Sequence, residues 1–508
     1  SSSSDPHAGA EGGGPDRGEV AGAAVRGSAL FVTRGLVLQL VGLGATIAIA
    51  RLVSPTEFGA FAIAVAAMQA GLLITSLGFP AALIRKETEP TLGEQRAIVG
   101  LTLLVGTAIA AIAAFVALVL LPLLGERSEV ADLVAISTLA LPLFAARLNS
   151  LVILNRKLKF ERLVVIQATT QISFYLFAVT GAVVGAGAVG LSIAVPLAAL
   201  VSLVVATIIQ PWEWGVSLEV KAIRGLAGFG LRTGLYRLTA ALYEMGTVTL
   251  FAALGGQALA GFYGLSRRLL SPVYTTMQAL YMVGFPALSR AAPEERAAQT
   301  AQAVRTSLVG VGVAIAVIVG AAEPLVSALF GDRWLPAVDI LTLTAAGLLL
   351  FAAVGGPLAS LSLANGDARS PLLATIGQAA ATFALAVALI GGGSDLTAAG
   401  VATGIGLLVF ALAVYGMTAP EPVRALRGVI LRTVLIAAAA AAAANLVVSG
   451  DGLLALAAAI AISAAVWTGL TALLMRSELL LLWRVSQRYL RPMLSWRPLS
   501  RAARAGES

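Results

Sequence analysis

The sequence predicts an all-α polytopic membrane protein with 14 transmembrane helices: two six-helix lobes around a central cavity, plus two extra C-terminal helices. Composition is the first reason. Of 508 residues, 58% are hydrophobic and 12% charged, with a mean hydropathy of +0.92. Soluble chains are about 25% charged. The second reason is a run of apolar spans, each about 20 residues long and so able to cross a bilayer as helix. The third is an internal repeat at an offset near 206 residues.

Residues 1–24 are rich in Ser, Gly and Pro and lack a signal peptide's cationic start and apolar core. They are expected to form a disordered cytoplasmic tail. The chain opens without Met, so a processed or trimmed start is expected. The N-lobe is expected over 25–222, with spans near 28–51, 59–84, 97–121, 132–154, 163–185 and 188–210. The C-lobe is expected over 223–419, with spans near 226–254, 258–284, 304–329, 336–362, 370–391 and 396–418. Two further helices, near 429–448 and 452–475, fill 420–475. The first span carries one cation, Arg34, which costs about 2.5–3.5 kcal/mol near the bilayer centre unless it meets water or an anion. It stops at Arg51-Leu52-Val53. Ser54-Pro55-Thr56-Glu57 then restarts the helix: Ser54 caps, Pro55 suits the first helical position and Glu57 completes a capping box.

With the N-terminus placed inside, the cytoplasmic loops and tails hold 25 of the 34 basic residues. The outer loops hold three, Arg51, Arg127 and Arg333, and six lie within spans: Arg34, Arg147, Arg232, Arg237, Arg267 and Arg268. This bias predicts both termini cytoplasmic and an even number of spans. It also accounts for the pI near 10.1 without nucleic acid. The segment 476–508 carries seven arginines beside Leu479, Leu482, Trp483 and Leu490. It reads as a basic amphipathic tail on anionic lipid. The chain has no Cys and a single His, His7, which removes disulfides, thiolate metal sites and a histidine base. No cofactor, metal or catalytic residue is expected.

The repeat pairs Gly78-Phe79-Pro80-Ala81 with Gly284-Phe285-Pro286-Ala287, and Leu124-Gly125-Glu126-Arg127 with Phe330-Gly331-Asp332-Arg333, both at 206. Gly59-Ala60-Phe61 answers Gly261-Phe262-Tyr263 at 202. Asn155 answers Asn365, and Gly190 answers Gly400, at 210. Six spans per repeat predicts lobes related by an axis along the membrane normal.

Two spans carry polar stripes. Arg232, Tyr236, Thr239 and Tyr243 share one face of the seventh, with Leu231, Leu235, Leu238 and Leu242 opposite. Arg237 and Glu244 share a third face, where they either pair or leave Glu244 as a coupling carboxylate. On the eighth span, Tyr263, Arg267, Ser271, Tyr274, Gln278 and Tyr281 align, with Pro272 expected to kink the helix and Arg268 off the stripe. The fifth span offers Gln167 and Gln171. Arginine binds phosphate bidentately, and tyrosine and glutamine suit sugar hydroxyls. The stripes therefore describe a cavity for an anionic, hydroxyl-rich ligand, lined by Arg34, Arg232, Tyr236, Arg237, Tyr243, Tyr263, Arg267, Tyr274 and Gln278. The rival reading is that some arginines snorkel to the interface, foremost Arg147 near an inner helix end.

The Arg51-to-Gly59 motif, following a first span with a buried cation, resembles the opening of polysaccharide and O-antigen flippases of the multidrug/oligosaccharidyl-lipid/polysaccharide exporter superfamily. Residues 77–85 and Phe330-Gly331-Asp332-Arg333-Trp334 are similar to family patterns as well. The resemblance covers about 28–475. It implies two lobes in a V, alternating access, and a bacterial cytoplasmic membrane. The implied cargo is an undecaprenyl-pyrophosphate-linked oligosaccharide moved to the outer leaflet for polysaccharide export (exopolysaccharide, O-antigen or lipopolysaccharide). It also implies cationic cavity residues at Arg34, Arg232 and Arg237, and polysaccharide polymerase machinery as a partner. A drug–cation antiporter of the same superfamily should place carboxylates in its cavity, where this chain has six arginines and one glutamate. A glycan polymerase or ligase needs a large outer loop that is absent here. A non-transporting protein that binds the lipid-linked precursor is the third alternative.

Overall fold

The computed structural model describes residues 38–76, 83, 89–124, 128–157, 159–211, 215–217, 219–290, 292–391, 397–448, 450 and 452–481. Residues 160, 220–237, 276–287, 289, 290, 293 and 294 are described by their backbone alone. All regular structure among the described residues is helical.

The helices follow in chain order as α1 (Leu38–Leu52), α2 (Pro55–Ser76), α3 (Leu92–Leu123), α4 (Glu129–Ala146), α5 (Leu148–Arg156), α6 (Phe160–Val183) and α7 (Gly187–Ile209). Then come α8 (220–255) and α9 (257–290), α10 (Pro293–Gly320), α11 (Ala322–Phe330), α12 (Ala337–Ala364) and α13 (Arg369–Leu389). The last are α14 (Thr397–Thr418), α15 (Glu421–Val447) and α16 (Leu453–Leu474). Twelve helical stretches are long and apolar enough to cross a membrane among the described residues. One of them, Leu238–Thr275, is the α8–α9 pair joined at Gly256, and α1 is a shorter apolar helix. The N-tail, Arg34, most of 77–85 and residues 482–508 lie outside the described residues.

Local chemistry sets the helix ends. The Ser54 backbone N–H donates to Glu57 Oε2 at 2.9 Å, and the Glu57 N–H donates to Ser54 Oγ at 3.3 Å, the expected reciprocal cap. Thr91 and Glu94 build a second such box at the start of α3. The α6–α7 hairpin turns on Gly185 (φ 77°) and Gly187 (φ 50°), a backbone region that glycine enters without steric cost. Gly181 and Gly190 then let these helices touch along their backbones. Gly256 (φ 79°, ψ 170°) alone leaves helical dihedrals between 220 and 290, so the chain breaks there and Pro272 stays within helix.

Helices α15 and α16 pack on α10. The run Ala437–Ala444 shows why alanine was used. Ala437, Ala440, Ala441 and Ala444 are buried while Ala438, Ala439 and Ala442 are exposed. This is the 3.6-residue rhythm of a small-residue helix contact, in which van der Waals fit holds helices together in lipid. Trp467 of α16, 3% exposed, lies directly over Gly312 of α10. Trp467→Ala is expected to cost about 3–5 kcal/mol. That should appear as a lower Tm in detergent, with flux per folded molecule unchanged.

Candidate functional site

The two halves of the chain meet at the end of the bundle where α1 passes into α2. There α2 and α9 cross glycine on glycine. A Cβ on Gly59 would collide with the Gln257 carbonyl oxygen and lie 2.7 Å from the Gly261 nitrogen. A Cβ on Gly261 would collide with the Pro55 carbonyl oxygen. These are the two glycines that the repeat pairs in sequence, and they face each other in space. Polar contacts close the same end. Arg51 donates from Nε to the Leu329 carbonyl at 2.8 Å and from Nη2 to the Ala328 carbonyl at 2.7 Å, capping the C-terminus of α11. Arg333 Nη2 and the Trp334 indole donate back to the Ala50 carbonyl near the C-terminus of α1, at 2.5 and 2.9 Å. Trp334 is fully buried, with Phe58 of α2 and Phe262 of α9 edge-on at 5.5 and 6.0 Å. Arg51 and Arg333, read from sequence only as loop cations, are the clasps of this seal.

About 10 Å further along α9, at 1.5 Å per residue, sits Arg268. Its Nη2 donates to the Tyr175 hydroxyl of α6 at 3.0 Å, and its guanidinium stands 5.4 Å from the Tyr175 ring centroid. Gly42 of α1 lies against that hydroxyl, so α1, α6 and α9 meet at one point. Tyr175 extends the stripe of Gln167 and Gln171 by one more helical step, and both glutamines are exposed. Arg268, off the predicted stripe, is thus an intramembrane arginine that reaches the other half of the molecule.

Most of the predicted residues with described side chains converge on a different feature, a cavity of about 130 Å³ within the C-terminal half. Tyr243, Glu244, Tyr263, Arg267 and Tyr274 line it, together with Thr344, Phe351, Thr375, Gln378, Thr403, Leu407 and Phe410 of α12, α13 and α14. Arg267 Nη2 pairs with Glu244 Oε1 at 2.5 Å, and the Arg267 guanidinium lies 5.2 Å from the Tyr274 ring. Among the described side chains the partner of Glu244 is therefore Arg267. Tyr243 is buried and reaches Thr382 at 3.3 Å, whereas Leu242 is 49% exposed, so at this level of α8 the tyrosine turns inward and the leucine outward. A π-helical turn, Phe351–Gly355, places Phe351 in the wall; such bulges recur at functional sites and leave no mark on hydropathy. Arg232, Tyr236, Arg237 and Gln278 lie on α8 and α9, with side chains outside the described residues.

Arg147 does not snorkel. It sits at the break between α4 and α5, donates to Thr170 Oγ1 at 3.1 Å and to Ser202 Oγ, and stacks on Phe144 at 4.4 Å. It ties α4, α6 and α7 into the N-terminal half. Among the described residues no group of three or more His, Cys, Asp or Glu could hold a metal ion.

Residues 48–339 match the family model described as "Polysaccharide biosynthesis protein", more than half of the chain. The chain belongs to this polysaccharide biosynthesis family. No curated protein matches it in sequence. Among solved structures, this member of the family is similar to the lipid II flippase MurJ in an inward closed conformation. The TM-score is 0.73 at 14% identity, covering 88% of this chain and 99% of that one. A multidrug resistance MATE family transporter of the MOP superfamily fits in its inward-facing conformation with TM-score 0.58 at 14% identity, over 77% of this chain and 96% of that one. An outward-facing conformation of such a transporter fits with 0.50 at 15% identity, over 80% and 96%. The fold is that of these transporters.

Proposed function

We propose that this protein is a flippase that moves an undecaprenyl-pyrophosphate-linked oligosaccharide from the inner to the outer leaflet of a bacterial cytoplasmic membrane. It has 14 membrane spans, with both termini cytoplasmic. The observation that carries the reading is the arrangement of α1, α2, α6 and α9. The halves are clasped at the Arg51 end, and beneath the clasp Arg268 spans them with only neutral Tyr175 as its hydrogen-bonding partner among the described residues. The positive-inside bias makes the Arg51 end the outer face, so the molecule would be closed outward.

An arginine that bridges two moving halves in a low-dielectric setting invites a phosphate, which it holds bidentately. The diphosphate would enter between the halves from the cytoplasmic side and recruit Arg268 and Arg267 together with Arg34, Arg232 and Arg237. The glycan would lie against the tyrosine and glutamine surfaces, with the polyprenyl tail in lipid. Opening of the Gly59–Gly261 crossing would then release the cargo outward. An interior-negative potential favours export of an anion by about 2.3 kcal/mol per charge per 100 mV.

The antiporter alternative is disfavoured by the charge of the spans, where six arginines stand against one glutamate, whereas a cationic drug would need carboxylates. The test is the sidedness of lipid-linked glycan in cells depleted of the protein. Precursor is expected to accumulate on the inner leaflet with loss of surface polymer. Precursor reaching the outer leaflet at the normal rate would overturn the reading, and dye efflux would then be measured.

A further inference from the structure

We propose that Glu244 is the resting counter-ion of Arg267: it holds the guanidinium while the carrier is empty, yields it to the phosphate of the cargo, and reclaims it so that the empty carrier can return. The inference rests on the flippase reading and deepens it by assigning the step that resets the carrier.

The geometry points there in three ways. The pair is short, 2.5 Å, yet not enclosed, because the Glu244 side chain is 54% exposed and that of Arg267 30% exposed at the cavity. An anion arriving at the cavity therefore has access to the guanidinium that Glu244 holds. The neighbours favour Arg267 staying in place when its partner changes. Tyr274 receives the guanidinium over its ring at 5.2 Å, and Tyr263, fully packed against Phe251, closes the far wall. Finally, Gln378, Thr375, Thr344 and Thr403 supply the rest of the polar lining. All are neutral, so no other charged side chain among the described lining residues can stand in for Glu244.

The physical logic is that a carrier must cross its halfway state both loaded and empty. Loaded, the cargo phosphate compensates Arg267. Empty, the same arginine would be an unpaired charge in a low-dielectric site, a state that is strongly disfavoured. Glu244 removes that obstacle by offering the guanidinium a carboxylate in place of the phosphate, held through Nη2. It also sets a threshold, since a ligand must outcompete an attached carboxylate to bind.

The test separates exchange from net flux in vesicles containing the full-length protein. A fluorophore-labelled polyprenyl diphospho-sugar is placed in one leaflet, with or without unlabelled cargo in the other. With cargo on both sides the carrier never moves empty; with cargo on one side it must. Glu244→Gln is expected to bind the probe about tenfold more tightly. It should still exchange and lose at least about tenfold more in net flux than in exchange. Glu244→Asp should restore most of the net flux. Retained exchange shows that the Gln variant is folded. If Glu244→Gln lowers exchange and net flux equally, or changes neither, the counter-ion role is overturned. If the natural protein moves no probe under either condition, the diphosphate-cargo reading falls, and this inference falls with it.

Discussion

Gly59→Leu is expected to lower flux by about 5- to 150-fold and to leave the protein open at its Arg51 end. The substitution adds a side chain where α2 and α9 already touch along their backbones, with the Gln257 carbonyl oxygen occupying the position of the new Cβ. Backbone cannot yield as a flexible side chain would. Overpacking of this kind costs about 1–3 kcal/mol, which corresponds to that range of population shift. The clash exists only when the halves are closed at this end, so the cost falls on that state alone and the equilibrium moves away from it. The absence of native cysteine makes the shift measurable. Val53, 1% exposed beside the clasp, can be changed to Cys as a single reporter. Val53→Cys should resist a membrane-impermeant maleimide in the otherwise natural protein and react readily once Gly59→Leu is added. Gly44→Ala is the control: a Cβ there meets nothing within 4 Å, and alanine favours helix, so flux should be unchanged. A protected Val53→Cys in the Gly59→Leu background would mean that the crossing does not gate the pathway.

The sequence made the helices legible because hydropathy and capping are local properties. Ser54 and Glu57 announce α2, and the structure closes their bonds as expected. The repeat was legible through Gly59 and Gly261, since a position that tolerates only glycine marks close backbone approach. The stripe from Tyr263 to Tyr274 was legible as a face, and that face does line a cavity. What periodicity could not supply was the neighbour. It placed Arg267 and the tyrosines on one side of α9, and that side lines a cavity whose described walls all come from the C-terminal half. Arg268, one residue and about 100° further round, faces the other half instead. Arg51 and Arg333 were sorted as loop charges because their acceptors, the carbonyls of Ala328, Leu329 and Ala50, lie more than 270 residues away in sequence. Helix-end carbonyls are backbone groups and carry no side-chain signature. The alanines of α15 were opaque for a related reason: identical residues hide the rhythm that burial reveals.

Arg268→Ala is expected to reduce flux by about 100-fold while changing folding stability by less than about 1 kcal/mol. A guanidinium within a membrane helix costs about 2.5–3.5 kcal/mol, and one hydrogen bond to a charged group returns about 1.5–3 kcal/mol. With Tyr175 as its hydrogen-bonding partner among the described residues, Arg268 is close to neutral for the empty protein. A residue that costs about as much as it returns in the resting state has its use in another state, and for the proposed flippase that state is the loaded one. There a bidentate contact to phosphate should contribute to affinity and to the passage between open forms. Arg268→Lys keeps the charge but loses the planar fork, so flux should fall by about tenfold. Tyr175→Phe removes the 3.0 Å hydrogen bond and keeps the ring beneath the guanidinium, so it should cost about fivefold or less. Thermal unfolding in detergent and probe flux in vesicles, measured on the same preparations, decide the matter. If Arg268 were a structural strut, Arg268→Ala would lower Tm and flux together, and Tyr175→Phe would follow it in both. If it is a ligand for the cargo, flux falls alone, and the order Arg268→Ala, Arg268→Lys, Tyr175→Phe tracks loss of phosphate contact rather than loss of fold.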